Sequence, residues 1–228
     1  MKKTILAIAT ALIFVSCCSE NTNTEQASAS LASLTGIPYS KTTINKKDAK
    51  RVLVVSSSPR CGGNTDLLAD EFAKGATEAG AVVEKVFLAD YDLTFLSESG
   101  ANKPKDESHD TDAWKLTEAF LNADVVCLAS PTYYMNVNDR MKAFIDATYL
   151  AFSDERMGGK EYYYITACAQ SNTEVAEWCF NGMRGFVMCL PSATERGYVR
   201  AIGMGRAGAV SGTQYMTEAY ELGKNINN

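Results

Sequence analysis

A doubly wound α/β domain, with a five-stranded parallel sheet and helices on both faces, is the fold predicted for residues 51–225. Three observations carry it. Apolar runs of strand length alternate five times with amphipathic stretches of helical period, the pattern of successive strand–helix–strand units. The runs are continuously aliphatic and β-branched, as strands covered on both faces are. Polar loops follow the first, third and fourth runs, at the carboxyl ends where such sheets bind ligands.

The elements follow in order. RVLVVS (Arg51–Ser56) reads as a buried strand, and Ser57–Gly63 as a loop by composition. A helix is expected over Asn64–Glu78, because Leu68, Phe72, Gly75 and Ala76 share one face; Gly80 ends it. Ala81–Leu88 is the second strand. Tyr91–Asp110 is a long polar loop containing Pro104. Thr111–Leu121 is a helix, Asp124–Ala129 a buried strand, and Ser130–Asn136 a loop. Val137–Ala151 is a helix with Val137, Met141, Phe144, Ile145 and Thr148 on one face. Glu161–Ala167 is a strand. Thr173–Leu190 is a helix carrying Val175, Trp178, Cys179, Phe186 and Val187. Arg196–Ala201 is the last strand, and Thr213–Asn225 the closing helix. The loops Ser56–Thr65, Ser130–Asn136 and Cys168–Asn172 should converge on one site.

The first loop, SSSPRCGGNT (Ser56–Thr65), is composed to hold an anion. A helix N-terminus offers unsatisfied N–H groups and a partial positive charge. Gly62 and Gly63 let the backbone approach closely. Ser57, Ser58 and Thr65 offer hydroxyls, Asn64 can donate or cap the helix, and Arg60 can face phosphate oxygens. No GxxxxGK[ST] is present, which excludes a nucleoside-triphosphate loop of that kind. No GxGxxG is present, which disfavours dinucleotide binding in the Rossmann manner. A monophosphate that is held and not transferred suits what is left.

Residues 1–48 differ in character. Met1-Lys2-Lys3, the apolar run Ile5–Val15 and Ser16-Cys17 have the layout of a secretory signal peptide. Phe14–Cys17 resembles a bacterial lipobox, which would make Cys17 a lipid-bearing residue, although Cys18 offers a competing thiol. The expected organisation is therefore a leader over 1–17, a polar tether over 18–48 and one domain over 49–228. The tether SENTNTEQASASLAS (Ser19–Ser33) has no aromatic residue and too little apolar surface to fold alone. The product would be exported and membrane-anchored without spanning. A net charge of −5, with no basic run in the folded part, argues against nucleic-acid binding. The only histidine is His109, and no cysteine pair has zinc-ligand spacing. Cys61 and Cys168, beside the expected site, read as small space-filling residues and not as redox thiols.

VLVVSSSPRCGGNTDLLADEFAKGATEAGA and ADVVCLASPTYYMNVNDRMKAFIDAT resemble two blocks of the NADPH-dependent FMN reductase family, and TEAYELGKNI resembles its closing helix. The resemblance implies a flavodoxin-like fold and bound FMN. It places Ser58, Arg60, Gly63, Asn64 and Thr65 at the FMN phosphate, and Pro131, Thr132, Tyr133, Tyr134 and Asn136 around the flavin ring. It implies transfer of electrons from NAD(P)H to a small acceptor such as a quinone, a flavin or an azo compound, and a dimer or tetramer. Iron–sulfur members carry cysteines after the second strand; TFLSESGANKPKDESHDTD has none, so no cluster is expected. Export conflicts with a cytoplasmic donor, so a membrane redox partner is the other candidate donor. A flavodoxin-type electron carrier, or a non-catalytic binding lipoprotein, is the alternative reading.

Overall fold

The structure, a computed structural model, describes residues 49–93 and 111–228. The leader, Cys17 and its lipobox, the 18–48 tether, most of the Tyr91–Asp110 loop and His109 lie outside the described residues.

Five strands form one parallel sheet in the order β2-β1-β3-β4-β5. They are β1 (Arg51–Ser56), β2 (Val82–Phe87), β3 (Val125–Pro131), β4 (Glu161–Ala167) and β5 (Thr194–Ala201). Strand order reverses between β1 and β3, so a crevice opens beyond their carboxyl ends. The helices are α1 (Asn64–Glu78), α2 (Asp112–Leu121), α3 (Asp139–Thr148), α4 (Thr173–Val187) and α5 (Gln214–Lys224). This is the flavodoxin-like architecture expected.

The period-2 alternation of strands divides the core. Leu53, Val55, Val126, Leu128, Tyr162 and Tyr164 face Leu116, Phe144 and Phe180 of α2, α3 and α4. Val52, Val54, Cys127, Tyr163 and Ile165 face Leu68 and Phe72 of α1 and Ala219 of α5. β1 and β3 are buried almost throughout. β2 is an edge strand with every second residue exposed at its start, and Val82 is 63% exposed.

Several bounds differ from the sequence reading. α3 begins at Asp139, because Asn138 is its N-cap and accepts from Met141 N–H. α4 stops at Val187. Its buried face is Ala176, Cys179, Phe180, Met183 and Val187, while Trp178 lies on the exposed side. β5 starts two residues early, at Thr194. Gly80 (φ +87°) does end α1, in the left-handed region that spares glycine a Cβ clash.

Lys160 is buried at the start of β4. It donates to the Leu121 and Ala123 carbonyls at 2.9 and 2.7 Å, which closes the C-terminal end of α2. Burial holds its pKa down to about 8. The unfolded lysine titrates near 10.4. The cost of keeping it charged is therefore fully present below pH 8 and is relieved as pH rises toward 10.5. Urea unfolding from pH 8 to 10 should show the wild type gaining about 2 kcal/mol relative to Lys160→Met; parallel pH profiles would contradict this.

Candidate functional site

The loop after β1 enters α1 with Gly63 as N-cap, and no side chain caps the helix. The N–H groups of Asn64, Thr65 and Asp66 consequently have no acceptor among the described residues, as expected of an uncapped first turn. Gly62 (φ +66°) bends the loop back on itself. A Cβ on Gly63 would stand 2.6 Å from Ser58 Oγ and 3.0 Å from the Arg60 carbonyl, so the loop closes tightly only around glycine.

The hydroxyls do not all face outward. Ser57 Oγ donates to the Ala129 carbonyl at 3.1 Å. Ser58 Oγ donates to the Arg60 carbonyl at 2.8 Å. Among the described residues the Thr65 hydroxyl has no partner and the exposed Arg60 guanidinium forms no ion pair. Asn64 departs from expectation. Its amide donates to the Met204 and Arg206 carbonyls at 2.9 and 2.7 Å and accepts from Val210 N–H at 3.2 Å. Only its backbone N–H is left for an anion. The side chain clasps the glycine-rich segment after β5 to the loop after β1.

The second loop follows β3. Tyr133 and Asn136 exchange backbone hydrogen bonds at 3.0 and 2.9 Å, closing a tight turn with Tyr134 (φ 49°) and Met135 (φ 61°) at its centre. Two bulky residues in the left-handed region cost about 1–2 kcal/mol each. Strain of this kind collects at functional sites. Tyr134 is fully exposed, and Tyr133 and Met135 are each 43% exposed. Thr132 is turned inward, its hydroxyl 2.9 Å from that of Thr166. The Asn136 carboxamide accepts from Val137 N–H and lies where a Cβ on Gly182 would be, at 2.6 Å. It therefore braces the turn against α4.

The loops converge as expected. Ser57 N–H donates to Ala129 O, and Thr132 N–H to Ala167 O. Asn138, which the sequence reading passed over, joins the first two loops: its amide donates to Ser57 O at 2.6 Å and its oxygen accepts from Met141 N–H at 3.2 Å. Its backbone N–H meets Ser130 Oγ at 3.2 Å. The signal was available, since Asn ahead of Asp-Arg at a helix start is a cap pattern. The third loop is joined to the segment after β5 by Met204 N–H to Cys168 O and Gly203 N–H to Gln170 O. A cleft of about 360 Å³ lies between the first two loops, lined by Pro59, Tyr133, Tyr134, Val137, Asn138 and Asp139, within the size range of small-molecule sites. Asn138→Ala leaves the Ser57 carbonyl and the Met141 N–H without partners, and should cost about 2–3 kcal/mol in urea unfolding.

Burial pushes the Cys168 and Cys179 thiols up, which disfavours thiolate chemistry beside the cleft. Cys168 is buried, as a small filler should be. Cys61 is not such a filler: it is exposed.

The family model for NADPH-dependent FMN reductase matches residues 50–190. An iron–sulfur flavoprotein of Archaeoglobus fulgidus is 34% identical over 93 residues, covering 40% of this chain and 42% of that protein. The chain spans about half the length of the relatives it matches. The azoreductase of Bacillus anthracis has a TM-score of 0.60 at 17% identity, covering 78% of this chain and all of that one. The NAD(P)H:quinone oxidoreductase of Methanothermobacter marburgensis has a TM-score of 0.57 at 16% identity, covering 79% and 97%. These two structures are similar to this chain in fold.

Proposed function

The chain belongs to the NADPH-dependent FMN reductase family, and we propose on that footing that it binds FMN and passes electrons from a reduced nicotinamide to a small acceptor. The observation that carries the proposal is the pairing of an uncapped helix N-terminus with a cleft walled by tyrosines, across the switch point of the sheet. The residues fit the cofactor. Three free N–H groups and the Thr65 hydroxyl meet its phosphate, with the exposed Arg60 adding charge. Gly63 lets the cradle close at its base. Tyr133 and Tyr134 offer aromatic faces to a planar ring; Pro131 and Thr132 precede them at the end of β3 and are not among the residues lining the cleft. Bound FMN supplies the hydride and electron chemistry; the chain positions the ring and shapes the space above it. No nucleophilic side chain is assigned. Residues 94–111 contain no cysteine, so no iron–sulfur cluster is part of the proposal.

The acceptor proposed is a small oxidant such as a quinone, another flavin or a nitro or azo compound, a reading that the family membership supports. Anaerobic mixing of the FMN-loaded domain with NADH or NADPH tests the reading: flavin colour should bleach, and return on addition of a quinone. A flavin that neither nicotinamide reduces would favour the electron-carrier alternative.

Export and anchoring through a lipid on Cys17 are also proposed, on the leader pattern of residues 1–17. A membrane redox partner as donor and assembly as a homodimer belong to the same reading. Incorporation of labelled fatty acid that is lost in Cys17→Ser would support the anchor, and labelling retained in that variant would contradict it.

A further inference from the structure

The phosphate loop carries an internal anion of its own. Asp66 sits in the first turn of α1, 3% exposed, three residues beyond the N-cap. At that position an acidic side chain commonly reaches back to the N-cap N–H. Here it reaches one residue further. Asp66 Oδ2 accepts from Gly62 N–H at 3.0 Å, and Oδ1 accepts from Ser56 Oγ at 2.8 Å. Lys85 of β2 places its ammonium 2.8 Å from the same Oδ1 and 2.5 Å from Asp70. One carboxylate therefore ties the last residue of β1, the left-handed glycine of the loop and the neighbouring strand together.

Two physical consequences follow. First, the Gly62 N–H is consumed by the protein and is not offered to a ligand, and the bend it fixes sets the line of the following N–H groups. Second, a bare carboxylate this close to a phosphate site would repel the ligand. Lys85 offsets part of that charge, being shared with Asp70, so the ionic clasp opposes the anion less than a bare carboxylate would.

We propose that the Asp66 carboxylate, paired with Lys85, is a positioning group that holds the loop in its anion-binding shape before the cofactor arrives. The side chain acts through Gly62 and does not itself touch the ligand. The inference rests on the reading of this site as an FMN site and deepens it: the clasp governs recognition of the phosphate, and leaves recognition of the ring alone.

That division supplies the test. Dissociation constants for FMN and for riboflavin, which lacks the phosphate, are measured by flavin fluorescence for wild type, Asp66→Ala and Asp66→Asn, with melting temperatures alongside. Asp66→Ala should weaken FMN tenfold or more and change riboflavin less than threefold. Asp66→Asn keeps an acceptor for Gly62 N–H, and should restore FMN affinity even though it loses the ion pair and melts lower than wild type. A purely structural role would weaken both flavins together and make affinity follow melting temperature; that result overturns the proposal. Unchanged FMN affinity in Asp66→Ala overturns it too. A wild-type domain that binds no FMN overturns the FMN reading and the inference with it, whereas wild-type binding with an insensitive Asp66→Ala overturns the inference alone.

Discussion

Gly223→Ala is expected to destabilise the domain by at least about 3 kcal/mol, the upper end of overpacking costs. A Cβ at position 223 would lie 2.1 Å from the Phe72 carbonyl oxygen and 3.0 Å from Ala76 N. Both are backbone atoms of α1, so no rotamer change relieves the clash and the two helices must separate. Gly75 makes the reciprocal approach, with a Cβ 2.0 Å from the Tyr220 carbonyl of α5. The same crossing packs Leu68, Ala69, Phe72, Ala73 and Ala76 against Ala219 and Ile226, and separation would loosen all of them. Gly75→Ala should cost a similar amount. The double variant should cost less than the sum, because the helices part only once. Urea unfolding of the three variants measures this. A loss below about 1 kcal/mol for either single variant would show that the helices do not meet so closely.

Gly63→Ala is expected to weaken FMN about a hundredfold while lowering the melting temperature by only a few degrees. A hundredfold corresponds to about 2.7 kcal/mol of binding free energy. The added methyl would meet Ser58 Oγ at 2.6 Å and the Arg60 carbonyl at 3.0 Å. The serine can turn away, but the carbonyl belongs to the loop backbone and also accepts from Gly63 N–H at 3.0 Å. Relief therefore comes from opening the loop, which moves the free N–H groups of the next turn off the phosphate. Little core is disturbed, because Pro59, Arg60 and Cys61 are exposed. Equilibrium titration with FMN beside a thermal melt separates the two effects.

The sheet was legible because its strands announce themselves. Val52–Val55 and Val125–Ala129 are apolar without a break, and the structure buries them from both sides. The loops after β1 and β3 were legible as loops from composition and from where they fall after strands; the FMN-binding roles expected of their residues came from the family resemblance. What failed to show was anything that depends on a distant partner. The destination of the Asn64 amide is set by carbonyls 140 and 142 residues away, and no local pattern contains them. The sequence showed Trp178 only as one apolar residue of the helix; which of them are buried is decided by the side of the helix that the sheet covers, and Trp178 lies on the other. Asp66 drew no reading from the sequence, because its role needs Ser56, Gly62 and Lys85 in place together. Asn138 differs: the cap signal was local, and starting the helix at Val137 hid it.

FMN bound by its phosphate across the switch point of this sheet is the central claim, and a paired titration tests it most directly. Purified domain beginning at residue 49 is titrated with FMN and with riboflavin under the same conditions, following flavin fluorescence. FMN should saturate at one per chain, and riboflavin should bind about a hundredfold more weakly, since it lacks the group that meets Asn64, Thr65 and Asp66 N–H. No saturable binding of FMN, or equal affinity for the two flavins, would contradict it.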